Sequence, residues 1–270
     1  MKRLILAAVV IALSIVPTLP AQDFLSGSGP KGIRVDQRLN APIPLGAKFK
    51  DESGRTVTLG DYFGKKKPVI LTLNYFNCPM LCNMELDGVV TSLGYLKFEP
   101  GREFEIVTVS FDPRDTPQTA REKKNIYVRR YGRPTAEASW HFLTTSDETQ
   151  IHELTDAVGF RYRYDPKTQQ YAHGAAIVVL TPQGRISRYL YGFEFPQRDL
   201  RLALVEASNN KIGSITDQFL LICYHYDPAT GRYASRAMNV IRVGSAATVA
   251  GIAGFIFVML KRDKKVLPRP

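Results

Sequence analysis

The sequence predicts a layered α/β domain held between two apolar ends, and three observations lead there. Runs rich in Val, Ile and Leu, at Val69–Tyr75, Phe104–Phe111 and Ala175–Leu180, read as strands covered on both faces. Segments with apolar residues at helical spacing alternate with them, which argues for a layered domain with a mostly parallel centre. The 270 residues, 44% hydrophobic and 23% charged, are enough to bury a core in one domain or at most two. A disordered chain, a collagen-like one and a small disulfide scaffold are thereby excluded.

The net charge of +11 does not make a nucleic-acid surface. Lys2 and Arg3 contribute two charges and the last ten residues a net four, leaving +5 for the rest. That remainder contains no Lys/Arg run interleaved with aromatics, so no nucleic acid is expected as a partner.

The first 21 residues have the order of a secretory signal. Met1-Lys2-Arg3 is basic, Leu4–Val16 is apolar apart from Ser14, and Ala21 offers a small residue for cleavage. Retained as an anchor instead, the segment would still export the body of the chain. Residues 22–48 form an extracytoplasmic lead with a Gly/Ser/Pro-rich stretch, Ser26–Gly32.

The main domain is expected over residues 49–210. Phe49–Leu59 reads as a hairpin turning at Ser53-Gly54. After strand Val69–Tyr75, Met84–Leu96 carries apolar residues at helical spacing, so Cys78 and Cys82 lie at a strand-to-helix turn. Phe104–Phe111 is the second strand. Thr116-Pro117 starts a helix, with Thr as N-cap and Pro at the first helical position, that runs to about Tyr131. Then come strand Trp140–Thr144, helix Asp147–Val158, strand Ala175–Leu180, a turn at Pro182-Gln183-Gly184, strand Arg185–Tyr191 and helix Pro196–Ser208.

Residues 211–242 form an extension that echoes the main domain. Tyr162–Ala172 and Tyr224–Ala234 agree at seven of eleven positions, and both read as strand, Asp-Pro turn, strand. Shared hairpin chemistry explains this without duplication. Residues 243–260 are charge-free, and at ~1.5 Å per residue they cross most of a ~30 Å hydrocarbon core. The basic tail 261–270 comes next, and by the positive-inside rule it stays cytoplasmic. The body is therefore expected on the outer side of the inner membrane, facing the periplasm or the cell exterior.

The chemistry gathers at Cys78-Pro79-Met80-Leu81-Cys82. The cysteines are four residues apart, which places them on one helical face and within disulfide reach. A helix N-terminus favours the thiolate. The pair can be a structural disulfide, a redox dithiol or half of a soft-metal site. His173, leading the strand Ala175–Leu180, stands where thioredoxin-like oxidoreductases carry a cis-proline facing their cysteines. Two thiolates with an imidazole suit copper(I) and copper(II); structural zinc would need more ligands, and a Cys-x-x-Cys-His haem motif is absent.

The apolar strand, the Cys-Pro-x-x-Cys spacing, the segment Phe111-Asp112-Pro113-Arg114-Asp115-Thr116-Pro117 and the later histidine together resemble the SCO/SenC family of thioredoxin-fold copper proteins, over about Gly32 to Ser208. The resemblance implies a thioredoxin-like domain and a tethered chaperone. Its partner would be the copper-binding subunit of cytochrome c oxidase or a similar copper acceptor, and its role to deliver copper to, or keep reduced, the dinuclear copper site. It further implies Cys78, Cys82 and His173 as ligands, with a thiol reductant as a further partner. Asp112 falls on the family's Asp-Pro element, where it is either an auxiliary of the metal loop or a turn former.

The chain departs from the family in its Cys-loop residues, in a C-terminal extension and in its anchoring. Met80 stands where Asp is frequent and is expected to pack rather than ligate; Asn83 stands where Pro is frequent; and the segment 211–242 is unusual, as is anchoring at the C-terminus. His141 and His152 are expected to be structural or superficial. The alternative function is a thiol–disulfide oxidoreductase in which Cys78 and Cys82 are the catalytic pair. Cys223 and His225, two apart in an extended stretch, share a face. They are an inert buried cysteine beside a histidine, an auxiliary copper-holding pair, or the site of a disulfide-linked dimer.

Overall fold

The computed structural model describes residues 33–208 throughout, and beyond them the backbone of 224–227, 232–235 and 237–266, with side chains of the last helix given at 244–257, 259 and 261. The centre is a five-stranded sheet built of β4 (Val69–Asn74), β5 (Glu105–Ser110), β6 (Trp140–Leu143), β9 (Ala176–Leu180) and β10 (Ile186–Tyr191), in the order β10-β9-β4-β5-β6. Pairs β4–β5 and β5–β6 are parallel, while β4–β9 and β9–β10 are antiparallel. The expectation of a mostly parallel centre is thus corrected to half. Between β6 and β9 the chain runs through the helix Glu148–Ala157 and then a hairpin, entering β9 antiparallel to β4, and Pro182–Gly184 folds β10 directly back on β9.

Alternation along these strands divides the core in two. Ile70, Ile106, Ile177 and Val179 face one side, and Leu71, Leu73, Val107, Val109, Val178 and Leu180 the other. The first side is covered by α1 (Leu81–Gly94), α2 (Pro117–Tyr131) and α4 (Gln197–Ala207), the second by α3 (Glu148–Ala157), Phe49 and Phe160. Strands buried on both faces need such cover, which explains their unbroken apolar runs. The only tryptophan, Trp140, is fully buried, and its indole N–H donates to the Thr108 hydroxyl at 2.9 Å.

Local chemistry sets the boundaries much as expected. Thr116 caps α2, accepting the Thr119 N–H at 3.3 Å with Pro117 at the first helical position, and Gly132 ends it in the left-handed region at φ 70°. Asp147 caps α3 through the Thr149 N–H at 2.9 Å. The early hairpin forms as β2 (Lys48–Lys50) and β3 (Thr56–Thr58). β7 (Phe160–Asp165) and β8 (Gln170–His173) pair around the Asp165-Pro166 turn, joined at the edge by β1 (Arg34–Val35), which the sequence pattern does not announce.

The expected second hairpin is present as β11 (Tyr224–Asp227) and β12 (Arg232–Ser235), in the same register as the first. Tyr162↔His173 corresponds to Tyr224↔Ser235, and Asp165↔Gln170 to Asp227↔Arg232. The stretch 243–260 lies inside α5 (Ala237–Val266), a helix of 30 residues whose side chains are described only in part. Among the described residues no helix is long and apolar enough to cross a membrane. The signal segment 1–21 and Cys223 lie outside the described residues.

Gly88 lets α1 lie against the chain before α4. A Cβ there would fall 1.8 Å from the Phe193 carbonyl oxygen. Alanine gains about 1 kcal/mol in helix propensity, but overpacking costs typically about 1–3 kcal/mol and more against backbone. Gly88→Ala is therefore expected to lower the denaturation midpoint of the full chain, followed by Trp140 emission. An equal or higher midpoint would show that the helix and the loop shift apart freely.

Candidate metal centre

β4 ends at Asn74, and the chain turns through Tyr75-Phe76-Asn77 before α1. Two anchors fix this turn. The Cys78 N–H donates to the Tyr75 carbonyl at 3.2 Å, and Asp115 accepts the Phe76 N–H at 2.7 Å and the Asn77 amide at 3.1 Å. Asp115 also takes the Ser110 hydroxyl at 2.6 Å, which holds the loop after β5 against the loop after β4. Burial raises its pKa against these donors.

The placement of both cysteines on one helical face is corrected. Only Cys82 belongs to α1. Cys78 precedes the N-cap residue Met80, and its Sγ accepts the Cys82 backbone N–H at 3.3 Å, serving an otherwise unpartnered first-turn donor. The two thiols still come together because the chain curls back, not because a helical turn aligns them. Both are free and buried.

Their protonation is split. The hydrogen bond from the Cys82 side chain, with further help from His173, the Cys82 N–H and the Tyr75 hydroxyl, holds Cys78 well below the ordinary thiol value against the opposing effect of burial. Burial pushes Cys82 up, and its bond to Cys78 adds to this. The pair therefore presents one thiolate and one thiol. The Tyr75 N–H donates to Cys82 Sγ at 3.4 Å.

His173 ends β8 and closes the site from the other side. Its Nε2 stands 3.4 Å from Cys82 Sγ, and its Nδ1 stands 2.8 Å from the Gly174 carbonyl. A carbonyl only accepts, so Nδ1 directs its N–H to Gly174, and Nε2 is the ring nitrogen that faces the sulfurs. The two Sγ atoms and the imidazole nitrogen all lie within 4.8 Å of one another, the arrangement of three donors that one ion can share.

Several supports are tertiary contacts invisible as sequence motifs. The β7–β8 hairpin that carries His173 packs its Tyr162 and Tyr171 against Phe111, with ring centroids 4.7 and 5.5 Å apart. Tyr75 meets Tyr171 at 5.4 Å and His173 at 6.0 Å. Asn83 donates to the Cys78 carbonyl at 3.2 Å and accepts from Lys123 Nζ at 3.0 Å and the Tyr127 hydroxyl at 3.2 Å, a clamp that proline could not supply. Burial lowers the Lys123 pKa, while the nearby thiols favour its charged form.

Asp112 stays outside the three-donor group. Its carboxylate is gripped by Arg114, at 2.8 Å from Nε and 2.7 Å from Nη2, and also accepts the Arg114 backbone N–H at 3.0 Å. The guanidinium in turn covers the rings of Tyr164 and Tyr171, 5.2 and 5.6 Å from their centroids. The turn-forming role is the one this geometry favours, with the added effect of fastening the hairpin. Met80 does not pack as expected: it is 61% exposed. His141 is structural, half-buried beside Tyr62 with its pKa lowered to about 4 chiefly by loss of solvent. His152 is exposed and stacks on Tyr162. His225 lies in β11, but its side chain, like Cys223 as a whole, is outside the described residues.

Fold and site together define a thioredoxin-like dithiol protein with an imidazole as third donor. The chain belongs to the SCO1/SenC family, whose model matches residues 39–206. A candidate electron transfer protein from Aquifex aeolicus VF5 superposes with TM-score 0.56 at 25% identity, covering 64% of this chain and 96% of its own. A candidate electron transport protein from the same organism does so with TM-score 0.51 at 25% identity, over 63% and 98%. ScoI of Arabidopsis thaliana, solved with copper bound, aligns over 64% of this chain and 99% of its own at 19% identity and TM-score 0.49. None of the curated proteins matches the chain.

Behind the thiols, Glu85 is completely buried and accepts from Asn74 Nδ2 at 3.2 Å. The other oxygen of each group, Glu85 Oε2 and Asn74 Oδ1, is buried with no partner. Two acceptors without a donor are what a retained carboxyl proton relieves. Burial accordingly raises the Glu85 pKa to about 8, outweighing the Asn74 and Ala176 donors. The unfolded chain releases this proton near 4.5, so the stability it contributes is fully present below that pH and is lost as pH rises toward about 8. Glu85→Gln supplies the missing donor at every pH. Its stability relative to the wild type is expected to rise between pH 4.5 and 8 in denaturant titrations; a flat difference would show that Glu85 ionises in the fold as it does in water.

Proposed function

We propose that this protein is a membrane-tethered copper carrier that binds copper through Cys78, Cys82 and His173 and supports assembly of the dinuclear copper site of cytochrome c oxidase. The observation that carries the reading is the convergence of two sulfurs and one imidazole nitrogen within 4.8 Å, in a member of the SCO1/SenC family. Soft thiolates select copper(I), and imidazole suits both copper oxidation states. Cys78, already held as thiolate, is the first strong donor. Cys82 joins it on losing its proton, and His173 is fixed by Gly174 in the tautomer that offers Nε2. The ion is cargo, and burial of all three donors shields it from water and from other thiols on the way to its acceptor.

The tether is the second part of the proposal. Supporting it, Val249, Ile252, Phe255, Ile256, Phe257 and Met259 are all exposed on α5. Residues 244–257 are all exposed and carry no charge, a character suited to lipid. The Thr248 hydroxyl donates to the Gly244 carbonyl at 2.9 Å, which satisfies a polar group inside the span. Lys261 lies over the Phe257 ring at 4.7 Å, where the basic tail begins.

One observation favours a second reading. A low-pKa Cys78 beside a protonated Cys82 is the state from which a dithiol attacks a disulfide, with the second thiol completing the exchange. On that reading the protein reduces cysteines of a copper acceptor. Metal-free protein that turns over an acceptor disulfide, and tolerates His173→Ala, would favour it.

Copper(I) titration of the full chain under reducing conditions is expected to give one tight equivalent. Cys78→Ser or Cys82→Ser should abolish it, and His173→Ala weaken it by roughly a hundredfold, about 3 kcal/mol. Binding indifferent to all three substitutions would sink the carrier reading. For the tether, protease added to intact spheroplasts should digest the body and spare a C-terminal tag; a protected body would refute the orientation.

A further inference from the structure

The three donors are nearly closed to solvent, at 5% for Cys78, 1% for Cys82 and 8% for His173, so an arriving ion finds almost no surface on them. What the chain exposes beside them is thioether sulfur. Met80 is 61% exposed and Met84 44%, and they are the only methionines from residue 33 to residue 208. The Met84 N–H donates to the Met80 carbonyl at 3.1 Å, which sets the two one turn apart. At that spacing Cβ atoms are about 6 Å apart, close enough for two flexible side chains to close on one ion.

Methionine neither caps the helix nor fills the core at these positions. Met80 is the N-cap of α1, where Ser, Thr, Asp or Asn would satisfy first-turn N–H groups, and its side chain makes no cap bond. Met84 turns to solvent while Cys82, Glu85, Leu86 and Val89 fill the buried face of the same helix. An N-cap residue that makes no cap bond, with a second exposed methionine one turn on, marks this rim as a functional surface.

We propose that Met80 and Met84 form a second soft-cation site, a thioether pair that takes up copper(I) at the surface and passes it to Cys78 and Cys82. The proposal rests on the copper-carrier reading and adds to it the place where cargo is first held. Thioethers prefer copper(I) and silver(I) to hard cations and lose no proton on binding, so the ion is held without the commitment that thiolates impose. In the transfer copper remains copper(I). Its bonds to the two thioether sulfurs break, bonds to the Cys78 thiolate and to Cys82 Sγ form, and the Cys82 thiol proton leaves to solvent.

The test uses the full chain labelled with ¹³C-methyl methionine and silver(I) as the probe. In a Cys78→Ser, Cys82→Ser, His173→Ala background the buried site is gone, yet silver(I) is expected to shift the Met80 and Met84 methyl resonances and leave those of Met238 and Met259 in place. Met80 and Met84 signals that stay still, or shifts shared equally by all methionines, would overturn the proposal. In the otherwise wild-type chain, Met80→Leu with Met84→Leu is expected to slow copper(I) loading from a bicinchoninate complex by about tenfold. Loading at the wild-type rate would likewise overturn it. Failure of the carrier reading gives a different result, loss of copper(I) binding by the wild-type thiols, and leaves the methyl shifts to be read independently.

Discussion

The site depends on one contact made across 91 residues of chain, Cys82 Sγ against His173 Nε2 at 3.4 Å. Closing so long a loop costs conformational entropy that the contact alone cannot supply. The closure is made by structure on either side of it. Three residues after His173 the chain enters β9, which pairs antiparallel with β4, the strand that ends just ahead of the cysteines. Just before it, the hairpin is fastened by Tyr162 and Tyr171 on Phe111 and by Arg114 over Tyr164 and Tyr171. The imidazole is thus the link between a sheet and an aromatic cluster that are each stable for their own reasons.

The polar groups around the thiols divide the same labour. Asp115 holds the turn before Cys78, Asn83 holds its carbonyl, and Glu85 with Asn74 lies behind in a fully dry position. Each of these side chains is buried or half-buried. Low dielectric makes every such contact stronger and every unpaired group more costly, which favours a rigid set of donors over an adaptable one. The rim of Asn77, Pro79, Met80 and Met84 has the opposite character: it is exposed, and the two methionines are flexible side chains open to solvent. Rigid donors beneath an adaptable rim suit a protein that must both hold an ion and exchange it.

Most of the scaffold was legible in the sequence because its signals are local. Unbroken apolar runs mark strands covered on both faces, and Thr116-Pro117 and Asp147 mark helix starts by their capping chemistry. The directions of β9 and β10 were not legible, since an apolar run reads the same whether its neighbour is parallel or antiparallel. At the site, Cys78, Cys82 and His173 were recoverable from residue type and order. Their supports were not: Tyr75, Asp115, Lys123 and Glu85 are ordinary residues whose roles arise from contacts made across tens of residues. The position of Cys78 ahead of the helix escaped because spacing alone cannot tell a helical turn from a loop that curls back.

The paired register of the two hairpins bears on how such a site changes over time. The position that holds His173 opposite Tyr162 holds Ser235 opposite Tyr224, on a ribbon of the same register that shares seven of eleven residues. The ribbon is indifferent to what ends it. A lineage can therefore acquire or discard the third donor by exchanging one codon, with no cost to strand pairing, and natural selection can try a metal-holding and a metal-free version of the same scaffold separately from the selection that maintains the fold.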